Sequence, residues 1–169
     1  HYDGGPTAVH SGEPEDDFEH GLVDFVHTLT EKMGFPADVR VAYREDNKIG
    51  LRLDSKHSSI LIGRKGKNLD AIQLLANVVA GKLEHDDIKV VVDAENYRSR
   101  REESLIRLAQ KVGDEVKRSH GSKLLEPMNP FERRLIHTTL NDVAGISTRS
   151  EGEGLYKQVR VYYQGTEDR

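Results

Sequence analysis

In this 169-residue sequence, Gly63-Arg64-Lys65-Gly66 is the segment whose residue types and spacing point most directly to chemistry. Two glycines three apart can hold backbone conformations closed to other residues and let the main chain approach another group closely. Arg64, Lys65 and Lys67 place three cations within four residues. The apolar-periodic stretch that follows predicts a helix, whose N-terminal amides and dipole favour an anion at the same point. A phosphodiester backbone suits all of these groups. Ile60 and Ile62, with one face of the preceding strands, are expected to floor a groove for unstacked bases. A bare Gly-x-x-Gly also occurs in ordinary helix–turn–helix links with solvated cations. It is not a P-loop, because Leu61 stands five positions before Gly66 and neither Ser nor Thr follows Lys67.

The second constellation is Arg133 and His137, spaced i, i+4. Asn129-Pro130-Phe131-Glu132 reads as N-cap, N1 proline and N3 glutamate, and starts the helix that carries them. At about 100° per residue, Phe131, Leu135, Ile136, Thr139, Leu140 and Val143 share half of the wheel and are expected to face the core. Arg133 falls at the rim of that half and His137 outside it. A guanidinium can grip a phosphate with two donors. An imidazole of ordinary pKa can donate to an oxyanion when protonated, which predicts binding that strengthens as pH falls from about 8 to about 6. The same spacing also fits a surface pair with no role. His137 beside Arg133 could in principle cleave a phosphodiester, but no paired carboxylates and no second histidine stand near it in sequence, so no enzyme is expected. Tyr97, Tyr156, Tyr162 and Tyr163 could each stack on a base or pack within the fold.

His1, His10, His20, His27, His57, His85 and His120 show no metal-ligand spacing, and Glu84-His85-Asp86-Asp87 reads as a polar loop. Cysteine is absent, which removes thiolate zinc sites and thiol catalysis. No metal and no cofactor are expected.

The elements that must position these residues fall into two sets. Asp16 and Glu19 have capping-box spacing. Phe18, Leu22, Phe25, Val26, Leu29 and Met33 then follow helical spacing to Gly34 and Pro36. Val39, Val41 and Tyr43, then Ile49, Leu51 and Leu53, alternate as a hairpin around Asp46-Asn47. After the glycine turn, Leu69, Ile72, Leu75, Ala76, Val79 and Leu83 predict one apolar helix face, and Ile88 to Val92 a third strand. The second set opens with a helix from about Asn96 to Ser119, with Leu105, Leu108, Ala109, Val112 and Val116 as its stripe. A short strand at Lys123 to Glu126, the Pro130 helix to about Asp142, and strands near Ile146–Ser150 and Val159–Tyr163 follow.

Composition bounds the rest. No apolar run approaches the roughly 18 residues of a membrane span. The net charge is −4, but residues 1–20 hold six acids and no Lys or Arg, leaving 25 bases against 23 acids, or +2, over the other 149 residues. Local placement of charge therefore has to decide the partner. Residues 1–15, rich in Gly, Pro and acids, are expected to be a disordered linker from a longer protein.

The element order over about residues 18–94 resembles a KH domain of type II topology, in which a Gly-x-x-Gly loop clamps about four nucleotides. Arg-x-x-x-His, after a long basic helix and before a Ser-x-Gly turn and a strand bearing Arg160, resembles the R-three-H domain over about residues 95–165. That resemblance implies nucleic-acid contact by Arg133, His137, Ser150, Gly152 and Arg160. The tandem, with Glu95-Asn96-Tyr97-Arg98, Met128-Asn129-Pro130-Phe131-Glu132-Arg133-Arg134 and Ser150-Glu151-Gly152-Glu153-Gly154, is similar to the bacterial Jag family. Its members are named for association with the membrane insertase SpoIIIJ and described as RNA-binding proteins of cell elongation. They commonly begin with a Jag-N domain, which this sequence lacks, and carry Pro where Leu155 stands here. The turn glycines remain.

The expectation is thus an α+β chain: a linker over 1–15, a type II KH domain over 16–94 and an R-three-H domain over 95–165. The KH site is Ile60, Ile62, Gly63, Arg64, Lys65, Gly66 and Lys67. The resemblance implies a non-enzymatic, cytoplasmic RNA-binding protein, a post-transcriptional regulator linked to envelope growth, with a small KH-domain partner protein. A protein-interaction scaffold in cell-wall or membrane-insertion machinery, a single-stranded DNA binder, and a homo- or hetero-oligomer stay open.

Overall fold

In a computed structural model, described for residues 12–83, 85 and 87–165, the chain divides into two compact units after Arg98. The expected linker lies outside the described residues as far as residue 11.

In the first unit, α1 (Asp17–Lys32) starts where Asp16 accepts a hydrogen bond from the Glu19 amide at 2.8 Å. It ends before Gly34, whose φ of 86° is the left-handed conformation glycine tolerates. Strands β1 (Asp38–Glu45) and β2 (Lys48–Asp54) form an antiparallel hairpin, and β3 (Lys89–Ala94) pairs parallel to β2 in the order β1-β2-β3. A parallel pair needs a crossover. The crossover here is α2 (Ser58–Ile62), a 3-10 turn (Arg64–Gly66) and α3 (Lys67–Lys82), so the glycine loop lies inside it. Ile49, Leu51 and Leu53 of β2 and Val90, Val92 and Ala94 of β3 bury one sheet face under Leu22 and Val26 of α1 and Leu69, Ile72 and Ala76 of α3. Each fully buried Val, Leu or Ile among them contributes about 1.5–3 kcal/mol.

Three expectations are corrected here. Tyr43 leaves the core face because a β-bulge at Ala42 shifts the register, pairing Val41 with Leu51 but Tyr43 with Gly50. One extra residue turns everything after it to the opposite face. Arg44 therefore takes the inward position opposite Ile49 and meets Glu19 of α1 at 2.7 Å. Leu75 and Leu83 are exposed. The core stripe of α3 is the narrow one of Leu69, Ile72, Ala76 and Ala80; Leu75 falls beside it, and Leu83 is the C-cap, beyond the helix. Gly12 to Glu15, expected in the linker, are tied down. The Val41 amide donates to Gly12 O at 2.9 Å, Arg44 Nη2 to Glu13 O at 2.9 Å, and the Glu15 amide to Glu19 Oε1 at 3.0 Å. β1 is an edge strand, and Gly12 O supplies the acceptor for its Val41 amide.

In the second unit, α4 (Tyr97–Ser119) buries Leu105, Ala109, Val112 and Val116. Strands β4 (Ser122–Leu124), β5 (Ile146–Glu151) and β6 (Gln158–Tyr163) form an antiparallel sheet in the order β4-β6-β5. α5 (Pro130–Leu140) adds Ile136 and Leu140 to a core completed by Val159 and Val161. A Cβ on Gly113 would stand 2.9 Å from Leu140 Cδ2, so α4 and α5 approach where α4 has no side chain. Asn129 and Glu132 form the full capping box of α5, and Glu132 also accepts from Arg101 Nε at 3.1 Å, which ties α4 to that start. Phe131, expected in the core, is 60% exposed. The buried stripe of α5 is Glu132, Ile136 and Leu140, and Phe131 lies about 140° around the helix from Ile136. Among the described residues no helix is long and apolar enough to cross a membrane.

Candidate nucleic-acid interface

The loop between α2 and α3 is built from backbone that few residues accept. Gly63 has φ 74° and ψ 178°, a region essentially reserved for glycine. Lys65 (φ 56°) and Gly66 (φ 75°) are left-handed as well. Glycines at these positions permit close approach, and two such approaches come from within the chain. A Cβ on Gly63 would stand 2.7 Å from the Asn68 side chain, and one on Gly66 would stand 2.5 Å from the Tyr97 ring. Asn68 Nδ2 donates to Ile60 O at 2.8 Å and braces the loop across its mouth. Neither contact was anticipated, and Tyr97 packs on Gly66.

Gly66 is also the N-cap of α3 and offers no side-chain acceptor to the helix amides. Those amides open beside Arg64 and Lys67, both exposed, and half-buried Lys65. Asp70, the acid of the first turn, is held by Arg98 Nη1 at 2.9 Å, and Arg98 Nε also donates to Val92 O at 2.8 Å. The local balance is therefore cationic. Ile60 is 43% exposed at the loop, whereas Ile62 is 7% exposed and belongs to the core, so of the two expected floor residues only Ile60 presents its side chain outward.

In the second unit the motif residues converge. His137 Nδ1 lies 2.6 Å from Thr148 Oγ1, and Nε2 lies 3.0 Å from Ser150 Oγ. Burial, with the Arg133 guanidinium as a smaller contribution, pushes the imidazole below its ordinary range. The ring is therefore neutral at pH 7. This moves the expected protonation, and any gain in anion binding from it, to more acidic pH. Thr148 was missed; it lies two residues before Ser150, on the same strand face. Arg133 Nη1 donates to Met128 O at 2.6 Å, so this guanidinium is partly spent on its own chain.

Arg160 Nε is 2.6 Å from Glu151 Oε1, and Nη1 donates to Ser122 Oγ at 3.1 Å. Arg149 shares the same carboxylate at 2.9 Å. Arg160 first, then Arg149, holds the Glu151 carboxyl below the usual carboxylate range. Gly152, at φ 90°, turns the chain where a Cβ would press on Tyr156 O at 3.2 Å. Arg133, His137 and Ser150 thus form one linked patch, while Arg160 sits in a separate ion cluster. Among the described residues no three His, Asp or Glu side chains are placed to hold a metal ion.

Comparison with known proteins agrees with this division. Residues 23–93 match the KhpA/KhpB KH domain and residues 103–163 match the R-three-H domain. The chain is 36% identical over 159 residues to the RNA-binding protein KhpB of Clostridium symbiosum, covering 94% of this chain and 72% of that protein. It is 36% identical over 133 residues to the RNA-binding protein KhpB of Bacillus subtilis (strain 168), spanning 63% of its length. With the Lactiplantibacillus plantarum protein of the same name it shares 33% over 140 residues and spans 43% of its length. With both domains present in this order, and most of the Clostridium protein's length matched, the chain belongs to the KhpB, or Jag, family of tandem KH and R-three-H proteins.

Proposed function

We propose that this chain is a non-enzymatic RNA-binding protein that holds unpaired RNA with both units. The observation that carries the reading is the loop at Gly63–Gly66. Its left-handed backbone opens an uncapped helix N-terminus between exposed cations, an arrangement suited to successive phosphates. The relatives' shared name, RNA-binding protein KhpB, supports it. Arg64, Lys65 and Lys67 would take phosphates, Ile60 an unstacked base, and the Arg133, His137 and Ser150 patch a second stretch of strand. Two weak modules on one chain raise each other's effective concentration.

Domain limits of 16–94 and 95–165, a cytoplasmic place and a regulatory role in envelope growth belong to the same reading. The test is equilibrium binding of a fluorescent single-stranded RNA to the full chain and to the double variant Arg64→Asp, Lys65→Asp. Two lost charge-assisted contacts, at about 1.5–3 kcal/mol each, predict a loss of affinity of more than about tenfold with an unchanged circular dichroism spectrum. Equal affinity in a folded variant would reject the loop as the binding element.

A second reading concerns α3. Leu74 is 64% exposed, and Leu75 and Val78 beside it are also exposed. This apolar face suits a small KH-domain protein as partner, in keeping with a family description that covers both KhpA and KhpB.

A further inference from the structure

The described aromatic residues comprise all four Phe and five of the six Tyr. Most are taken up by the fold. Phe18, Phe25 and Phe35 join the first core. Tyr43 covers Gly50 and Tyr97 covers Gly66. Tyr162 lies under Arg149 and Tyr163 stacks on His120. Phe131 and Tyr156 remain outside both cores and outside these ring contacts, at 60% and 76% exposure. The fold joins the segments that carry these two. The Met128 amide donates to Lys157 O at 3.1 Å, and Met128 O accepts from Arg133 Nη1 at 2.6 Å. Phe131 is three residues after Met128, and Tyr156 directly precedes Lys157. The segments that carry both exposed rings thus meet at one end of the second unit, and the same segments carry Arg133 and Lys157.

We infer that Phe131 and Tyr156 form a base-stacking platform, with Arg133 and Lys157 on the flanking phosphates. Exposed rings interleaved with cations are the composition that single-stranded nucleic acid requires. Every base has a π-face, so stacking there is tolerant of sequence. A protein partner would also cover exposed rings, but an apolar docking face carries fewer charges at its centre than the two that border these rings. The inference rests on the RNA-binding reading above and adds the residues that would hold bases in the second unit.

The chain contains no Trp, so Tyr156→Trp installs a single reporter. Titration of this full-length variant with an octauridylate should quench its fluorescence. An abasic ribose-phosphate octamer of equal charge should leave it unquenched. Phe131→Ala, Phe131→Leu and Tyr156→Ala should each lower affinity for octauridylate by at least about fivefold, the loss expected for one unstacked base. The slope of affinity against salt should stay the same, and Tyr156→Phe should restore binding. Phe131→Leu keeps an apolar side chain in the fold, which separates loss of the ring from loss of structure. If octauridylate binds the parent chain and these ring-deleted variants equally, or if the abasic octamer quenches as strongly, the platform is refuted while RNA binding stands. Unchanged RNA affinity with altered sedimentation of the ring variants would assign the rings to a protein interface and overturn the inference. If octauridylate binds no form of the chain, the RNA-binding reading itself fails.

Discussion

Gly63→Ala tests the physical account of the loop. The native φ of 74° with ψ of 178° lies in a region that costs a non-glycine residue about 1–3 kcal/mol. The new Cβ would also stand 2.7 Å from Asn68 and displace its hydrogen bond to Ile60 O, 2.8 Å long. A neutral, solvent-facing hydrogen bond of this kind contributes about 1 kcal/mol. Gly63→Ala should therefore cost about 2–4 kcal/mol, the sum of the two terms. Asn68→Ala alone should cost about 1 kcal/mol. In the Gly63→Ala background Asn68→Ala should cost almost nothing, because the bond it removes has already been broken. The coupling is thus about 1 kcal/mol in the restoring sense. Native-state hydrogen exchange at the core amides of Leu51, Val90 and Val92 reads it within the first unit. A Gly63→Ala cost under about 0.5 kcal/mol would show that neither backbone strain nor Asn68 shapes the loop, and two additive substitutions would show that Gly63→Ala leaves the Asn68 bond in place.

Three further outcomes follow from the same structure. His137 is held below its ordinary pKa, so the unfolded state takes up the proton first. The second unit's stability from this ring is complete above about pH 6.5 and declines as pH falls through that value, and His137→Ala should flatten the decline in acid titrations of its melting. Arg133→Ala should lower stability of the second unit by about 1–2 kcal/mol, through the charged hydrogen bond to Met128 O, measured by denaturant unfolding. An unchanged midpoint would free the guanidinium entirely for ligand. Deletion through residue 15 should destabilise the first unit more than deletion through residue 11, because it removes the acceptors for Val41 and Arg44. Equal melting of the two truncations would contradict their role.

What was legible in the sequence were properties of single residues and of regular periods. The Gly63–Gly66 turn declared itself through glycine's conformational freedom. The start of α5 declared itself through Asn129, Pro130 and Glu132, which together form a complete capping box. Contacts between residues distant in sequence were not legible. Tyr97 packs on Gly66 and Glu19 pairs with Arg44 through tertiary approach alone. The bulge at Ala42 carries no sequence mark, yet it decides that Arg44 rather than Tyr43 turns inward. The helical wheel gave the correct phase for Ile136 and Leu140. It failed for Phe131, which lies about 140° around the wheel from Ile136, so a half-wheel is too wide: the buried stripe is the narrow one of Glu132, Ile136 and Leu140. Arg160 is singled out by the resemblance alone, and only the fold shows it joined to Glu151.

Whether unpaired RNA binds at the Gly63–Gly66 loop is read by following backbone amide resonances as single-stranded RNA is added to the full chain. The largest shifts are expected at Gly63 to Leu69, where the α3 amides open, with a second group around Arg133, His137 and Ser150. Saturable binding that leaves the resonances of Gly63 to Leu69 unmoved would contradict binding at the loop.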